Sequence, residues 1–316
     1  MRFKKPKFWD LKKSNIISIL LLPFTLPIIL NNLILKFKFN KENRKIKSIC
    51  VGNIYLGGTG KTPTTIKLFQ IIQALNLRVL TAKKFYKSQI DERKILEKKT
   101  KFLSKKNRNL ILQDAIATNY DIVVFDDGLQ DRTMNYNLKC VCFDDENFIG
   151  NGNLIPSGPL REKLDSLKKY DCVFYKSETE ISKERLDLFK KFNSNIQVFE
   201  TFYEISNLDE FNLSKKYLIF SGIGNSKSFG NILMKNKFNI VNEIIFPDHY
   251  DYKKSDIDKI IKKAGSLNAK ILTTEKDYVK IDKSIFENLK FVEIKLIIKN
   301  EKNFTDYLKT KIYEKF

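Results

Sequence analysis

Cysteine, proline and glycine are sparse: 316 residues hold four, seven and twelve of them. So few glycines and prolines exclude a collagen-like or linker-dominated chain. Four scattered cysteines are too few for a disulfide framework, and no second pair joins Cys140 and Cys142 at zinc-finger spacing. These two flank Val141 in an extended run and point the same way, so buried free thiols in a reducing compartment are expected. Alanine is scarce too, with none before Ala74. Lysine, asparagine, isoleucine and phenylalanine are heavily used, a bias that supplies many solvated lysines without a function. The apolar content is ample. At 42% over this length it builds cores for roughly two domains and excludes a small disulfide scaffold. It also argues against disorder, despite the high charge.

Negative charge is in deficit. The net charge is +21, and the first 50 residues hold 12 Lys and Arg against only Asp10 and Glu42. About half the excess therefore lies in the first sixth of the chain. A basic end favours nucleic acid, anionic lipid or a phosphate-bearing substrate.

No long uninterrupted apolar run is present. The longest, residues 16–30 (IISILLLPFTLPIIL), lies between Lys12/Lys13 and Lys36/Lys38. At ~1.5 Å per residue a helix of that length reaches ~22 Å, short of a ~30 Å hydrocarbon core. Pro23 and Pro27 kink it, and extension to Leu35 takes in Asn31 and Asn32. No small-residue cleavage site follows, as a signal peptide needs. A segment lying in the membrane interface, with lysines on anionic headgroups, accounts for this pattern better than a span or a buried helix.

From residue 46 the pattern is strand, turn, helix. Residues 46–51 read as a strand, 52–60 as a glycine-rich loop, and 62–75 as a helix with Ile66, Phe69, Ile72 and Leu75 on one face. Pro63 sits in its first turn, where a missing N–H costs little. Further strands are expected at 78–81, 121–125, 139–143 and 172–175, with a lysine-rich helical region over 90–106. The polar stretch 176–215 holds a domain boundary near 180–200. Beyond it, strands are expected at 217–220, 240–246, 270–273 and 292–298. A helix is expected over 255–264, with Ser255 and Asp258 as a capping box. Strands alternating with helices predict an α/β fold whose mostly parallel sheet is covered on both faces. Ligands in such sheets bind beyond the carboxyl ends of the strands.

Tyr55-Leu56-Gly57-Gly58-Thr59-Gly60-Lys61-Thr62 is the strongest chemical signal. A strand enters and a helix leaves, which is the setting of a phosphate loop. Glycines let backbone N–H groups turn toward a phosphate. Lys61 neutralises its β/γ oxygens, Thr62 offers a hydroxyl to Mg²⁺, and the helix N-terminus adds its dipole. Tyr55 stands where the consensus has glycine, so the loop is a variant. Asp126 and Asp127 end an apolar strand downstream. Asp-Asp-Gly there suits a plain turn, but below a phosphate loop it suits the Mg²⁺ of a bound nucleotide. His249, the chain's only histidine, follows a strand in Phe-Pro-Asp-His-Tyr. A lone histidine is commonly incidental, but this position is a functional one.

Six segments occur in an order that resembles one family. They are VGNIYLGGTGKTP (51–63), VVFDDGLQDR (123–132), LIPSGPLRE (154–162), IFSGIG (219–224), FPDHYDY (246–252) and LTTEKDYVK (272–280). Together they resemble the tetraacyldisaccharide 4'-kinases, the lipid A 4'-kinases of Gram-negative bacteria. The resemblance spans nearly the whole chain. It implies transfer of the γ-phosphate of ATP, with Mg²⁺, to the 4'-hydroxyl of a tetraacylated glucosamine disaccharide 1-phosphate, giving lipid IVA. It implies a membrane-docking segment (1–40), a P-loop kinase domain (41–190) and a smaller α/β domain (191–316) closing the active-site cleft. The implied setting is the cytoplasmic leaflet of the inner membrane, with a peripheral monomer and no nucleic acid partner.

Carried over residue by residue, the resemblance implies nucleotide contacts from residues 55–62. It assigns metal ligation to Thr62, Asp126, Asp127 and Glu162, and catalysis to Lys61, Asp91 and His249. His249 and Asp91 would together activate the sugar hydroxyl. Three features depart from the family. Its Arg-Gly-Tyr segment reads Ala82-Lys-Lys-Phe-Tyr86, its Gly-Asp-Glu-Pro is reduced to Ile90-Asp91-Glu92-Arg93, and its histidine after Asp-Asp-Gly-x-Gln is Asp131. A nucleotide-switch ATPase is the competing class, but its loop carries a lysine before the two glycines, where this chain has Leu56. A nucleic-acid-binding ATPase would need a helicase-type or aromatic-interleaved motif, and none is found.

Overall fold

The computed structural model describes residues 5–34, 45–86, 89–131, 133–282, 286 and 289–314. Lys36, Lys38 and Leu35 of the N-terminal region, and Arg132 of the Asp-Asp-Gly motif, lie outside these residues. The chain forms two compact units. The larger takes in Lys5–Phe85, Thr100–Phe202 and the segment from Ile297; the smaller takes in Tyr86–Lys99 and Tyr203–Leu296.

The N-terminal apolar run is broken into α1 (Ile16–Leu21), a 3₁₀ turn over Leu22–Thr25 and α2 (Leu26–Ile34). Asn15 caps α1, its side chain accepting from Ser18 N–H at 2.8 Å. The orientation inverts that of a core helix. Ser18 and Thr25 are buried, while Ile16, Ile17, Ile19, Leu20, Leu22, Phe24, Leu26 and Leu30 are exposed. Polar bonds hold the inner face. Asn151 Nδ2 donates to Ser18 Oγ at 2.8 Å, and Ser157 Oγ to Ser18 O at 2.7 Å. Among the described residues no helix is long and apolar enough to cross a membrane.

The chain continues through β1 (Lys47–Gly52), α3 (Lys61–Ala74), β2 (Val79–Lys84), α4 (Ile90–Lys99), β3 (Phe102–Lys105), α5 (Arg108–Ala117), β4 (Ile122–Asp126), β5 (Leu138–Asp144), β6 (Cys172–Lys176), α6 (Lys183–Phe192) and β7 (Gln197–Ile205). Then follow β8 (Lys216–Ser221), α7 (Ser226–Lys235), β9 (Asn239–Ile245), α8 (Lys254–Ser266), β10 (Lys270–Thr274), α9 (Glu275–Tyr278), β11 (Lys290–Val292), β12 (Ile294–Ile298) and α10 (Glu301–Tyr313).

Three expectations need correction. The helical region over 90–106 is α4 followed by a strand, because Phe102 and Leu103 pair in parallel with Thr81 and Ala82 at the sheet edge. The run 292–298 is two strands, β11 and β12, which join different sheets. The capping box lies two residues earlier than expected: the helix starts at Lys254, and Asp256 accepts from Lys253 N–H at 3.0 Å.

An eight-stranded sheet has the order β12-β7-β6-β5-β1-β4-β2-β3, and its neighbours from β7 to β3 are parallel. β1 lies between β4 and β5, so the chain winds outward from it in both directions. That is a topological switch point, and the glycine-rich loop leaves β1 there. Buried apolar residues of β1, β4, β5 and β6, among them Cys50, Val123, Phe125, Val141, Phe143 and Val173, form the larger core with Ile111 and Leu112 of α5 and Phe189 of α6. The four cysteines are buried and free.

The smaller unit's sheet runs β11-β10-β8-β9, all parallel. Alternation along β8 serves both faces. Tyr217 and Ile219 pack with Phe229, Ile232 and Leu233 of α7, and Leu218 and Phe220 pack with Ile257, Ile260 and Ala264 of α8.

Candidate active site

In the larger unit the loop between β1 and α3 has the backbone a phosphate cradle needs. Gly57 and Gly60 have φ of 149° and 90°, a region side chains disfavour. Gly60 caps α3 in the left-handed conformation, so the helix starts at Lys61 with its free N–H groups facing the loop. Asn53 braces the interior, donating to Gly57 O at 3.1 Å and Thr59 Oγ1 at 2.9 Å. The first two loop positions are committed elsewhere. Tyr55 is buried against Leu154 and Leu160, and its hydroxyl donates to Asp10 at 2.6 Å. Leu56 N–H donates to Pro159 O at 2.8 Å.

Parallel pairing sets Val51 of β1 beside Asp126 of β4, which brings the Asp-Asp turn next to the loop. Thr62 Oγ1 donates to Asp126 Oδ2 at 2.9 Å. Asp127 has φ of 62°, and its N–H donates to Val51 O at 2.8 Å. Its carboxylate accepts from Arg161 Nη1 at 3.1 and 3.2 Å, with Lys61 Nζ 3.9 Å away. Glu162, next to Arg161, is buried. A hydroxyl and a carboxylate meeting at the start of α3 suit a hard divalent cation that takes its other ligands from phosphate and water. Among the described residues no group of three or more His, Cys, Asp or Glu side chains is placed to hold a metal.

Sequence reasoning missed two cations here. Lys83 Nζ lies 3.0 Å from Asp126 Oδ2, with both side chains almost wholly buried. Its signal was its place at the carboxyl end of β2, one residue past Ala82, which pairs with Phe125 of β4. Arg108 pairs with Asp131 at 2.6 Å and also donates to Asp127 O. Asp131, where the family motif has histidine, is thus an ion-pair partner. Burial raises its pKa, but hydrogen bonds from Thr133 and the Arg108 charge outweigh that, and the carboxyl lies below its ordinary range.

Asp91 and His249 belong to the smaller unit. Asp91 lies in the first turn of α4, and His249 in the loop after β9 with φ of 55°. His249 Nδ1 is 2.8 Å from Asp91 Oδ2 and 3.0 Å from Oδ1. An ionised carboxylate only accepts, so Nδ1 carries a proton, and in the neutral ring Nε2 is the nitrogen with the lone pair. Burial acts to raise the Asp91 pKa, but the His249 hydrogen bond and the charge of Lys276 prevail and hold it below the ordinary carboxylate value. Asp91 also accepts from Glu92 N–H at 2.9 Å, so it serves the helix terminus and the imidazole together. A histidine oriented by a buried carboxylate, its other nitrogen 3.8 Å from Asp248 Oδ2 and beyond hydrogen-bond distance of it, is suited to take a proton from a hydroxyl.

The parallel sheet, the glycine loop at its switch point and the Thr62–Asp126 contact define an α/β protein of the P-loop NTPase class. Comparison with known proteins gives the family. The sequence model of the tetraacyldisaccharide-1-P 4'-kinases matches residues 17–101 and 90–313. The chain is 46% identical over 310 residues to a tetraacyldisaccharide 4'-kinase of Pelagibacter ubique, covering 98% of each. It is 32% identical over 328 residues to one from Rickettsia canadensis, covering 98% of this chain and 97% of that one. A crystal structure of LpxK from Aquifex aeolicus in complex with ATP shares the fold, with a TM-score of 0.69 at 20% identity over 94% of this chain and 100% of that one. The chain belongs to the tetraacyldisaccharide-1-P 4'-kinase family.

Proposed function

We propose that this chain transfers the γ-phosphate of ATP to the 4'-hydroxyl of a tetraacylated glucosamine disaccharide 1-phosphate, and that His249 is the base. The Asp91–His249 hydrogen bond of 2.8 Å carries the reading of the base. The sugar oxygen attacks the γ-phosphorus, its proton passes to His249 Nε2, the bond from the γ-phosphorus to the bridging oxygen breaks, and ADP leaves. Asp91 keeps Nδ1 protonated and compensates the imidazolium as it forms. Gly57–Gly60 and the N-terminus of α3 receive the phosphates, and Lys61 neutralises charge on the group in transit. Thr62 and Asp126 would hold Mg²⁺, with Asp127 and Glu162 acting directly or through water. When bound, the ion neutralises phosphate charge.

The apolar side chains exposed on α1 and α2 support docking on the cytoplasmic face of the inner membrane, where a tetraacylated substrate resides. An interfacial helix buries such residues among acyl chains while its polar side stays with the protein.

The test is transfer of labelled γ-phosphate from ATP to the disaccharide-1-phosphate lipid in detergent micelles. His249→Ala and Asp91→Asn should each lower kcat by ~10²–10⁴ and leave ATP affinity nearly unchanged. The double variant should be little slower than either single one, as for groups acting as a unit. Full activity in His249→Ala would remove the base from this scheme.

A further inference from the structure

The segment Thr274–Lys280 begins at the end of β10. It contains α9, and its charged side chains alternate between two targets, both within the smaller unit. Glu275 accepts from Lys99 at 2.6 Å and Lys98 at 3.4 Å, and Val279 O accepts from Lys94 at 2.8 Å; all three lysines are on α4. Asp277 turns to the other side. It is fully buried and accepts from Gly222 N–H at 3.0 Å, Tyr252 OH at 2.9 Å and Thr274 OH at 2.7 Å. Gly222 O in turn accepts from His249 N–H at 3.1 Å, and Tyr252 lies in the loop that carries His249. The short helix thus grips the element bearing Asp91 with one set of groups and the loop bearing His249 with the other.

Lys276 stands between them. Its Nζ is 2.9 Å from Glu92, 3.8 Å from Asp248 and 3.9 Å from Asp91. It is a cation shared by three carboxylates, two of which, Asp91 and Asp248, lie within 4 Å of the imidazole nitrogens of His249. We propose that Lys276 is a positioning residue of the acid–base pair, tying the Asp91 helix to the His249 loop and setting the pH above which His249 Nε2 can take a proton. The inference rests on the reading of His249 as base.

Among the described residues the charged groups within 4 Å of the imidazole nitrogens are Asp91 from α4, at Nδ1, and Asp248 from its own loop, 3.8 Å from Nε2; Lys276 from α9 reaches both of them and Glu92. Glu275 is neutralised by Lys98 and Lys99, and Asp277 by Lys280 at 2.8 Å. Removing Lys276 takes that cation from the two carboxylates beside the imidazole, Asp91 and Asp248, and from the neighbouring Glu92, and so favours the protonated ring. The base must be unprotonated to act, so activity is regained only at higher pH. Lys276 and a protonated imidazole carry like charge, and a nearby like charge disfavours the charged form by roughly one pH unit or more.

The experiment is the pH dependence of kcat/KM for the full chain in lipid micelles, from about pH 5.5 to 9.5. Lys276→Met should move the rising limb up by roughly one unit and recover most of its activity in the alkaline range. Lys276→Arg, which keeps the charge, should leave the limb near its original place. Glu92→Gln shifts the balance the other way and should move the limb down, so it tests the proposal even if Lys276→Met does not fold. A loss equal at every pH, with the limb unmoved in Lys276→Met and Glu92→Gln, would make the lysine merely structural and overturn the proposal. Failure of the underlying reading looks different, since His249→Ala would then keep its activity.

Discussion

Lys83→Met tests whether the buried cation under the phosphate loop is essential to the larger unit. The substitution keeps a stem of similar length and removes only the charge. In the native protein Lys83 Nζ is 3.0 Å from Asp126 Oδ2, with side-chain exposures of 1% and 0%. Both charges have lost their water, so their pairing does little more than offset the desolvation. Removing one partner is different, because the other charge stays buried; that costs about 3–5 kcal/mol. The Thr62 hydroxyl, at 2.9 Å, compensates only part of it. Lys83→Met/Asp126→Asn leaves a neutral amide that still accepts from Thr62, so its cost should fall at least ~2 kcal/mol below the sum of the single costs. Trp9 is a convenient reporter. It is the chain's one tryptophan, lies buried in the same unit and donates to Pro156 O at 2.9 Å. Urea unfolding followed by its fluorescence, extrapolated linearly to water, gives each free energy. A Lys83→Met cost below about 1 kcal/mol, or strict additivity in the double variant, would show that solvent or another cation compensates Asp126 and would refute the argument.

Lys61→Ala should slow phosphoryl transfer by ~10²–10³ in the micelle assay, the range for one lost electrostatic contact to a reacting group; a wild-type rate would contradict the assigned role. The combined change Ile16→Ser/Leu20→Ser/Phe24→Ser alters only exposed positions, so the Trp9 unfolding curve should hardly move. Vesicle binding should weaken about tenfold or more per side chain, since each apolar group gives ~1.5 kcal/mol on burial, and unchanged co-sedimentation would place the docking surface elsewhere. Asp91 has a folded pKa below its unfolded value of 3.8. Its stabilisation is therefore present above that value and is lost as the pH falls through the lower folded one. Circular dichroism melts taken downward from about pH 5 should show a shallower acid loss in Asp91→Asn than in the wild type, and parallel acid limbs would count against the pairing.

Local chemistry made much of this protein legible. A strand, Gly-Gly-Thr-Gly-Lys-Thr and a helix read as a phosphate loop, because glycine conformations and a helix N-terminus are properties of a few adjacent residues. The alternation of strands and helices predicted a parallel sheet for the same reason: its period is local. The N-terminal run announced its length and its prolines. Its orientation was hidden, since Ser18 turns inward to hydrogen bonds with Asn151 and Ser157, more than 130 residues away. The strand over Phe102–Lys105 was also obscure, because lysine-rich sequence has no strand period of its own and the pairing with β2 supplies the stability. Family resemblance, not any local pattern, pointed to the pairing of Asp91 with His249, 158 residues apart. Tertiary structure alone decided two features of the site. It placed Lys83 against Asp126 through the register of β2 beside β4. It also set Lys276 among three carboxylates drawn from two other segments. Pairing of charges across such separations depends on which strands become neighbours and how loops close over them, and no window of sequence contains that information.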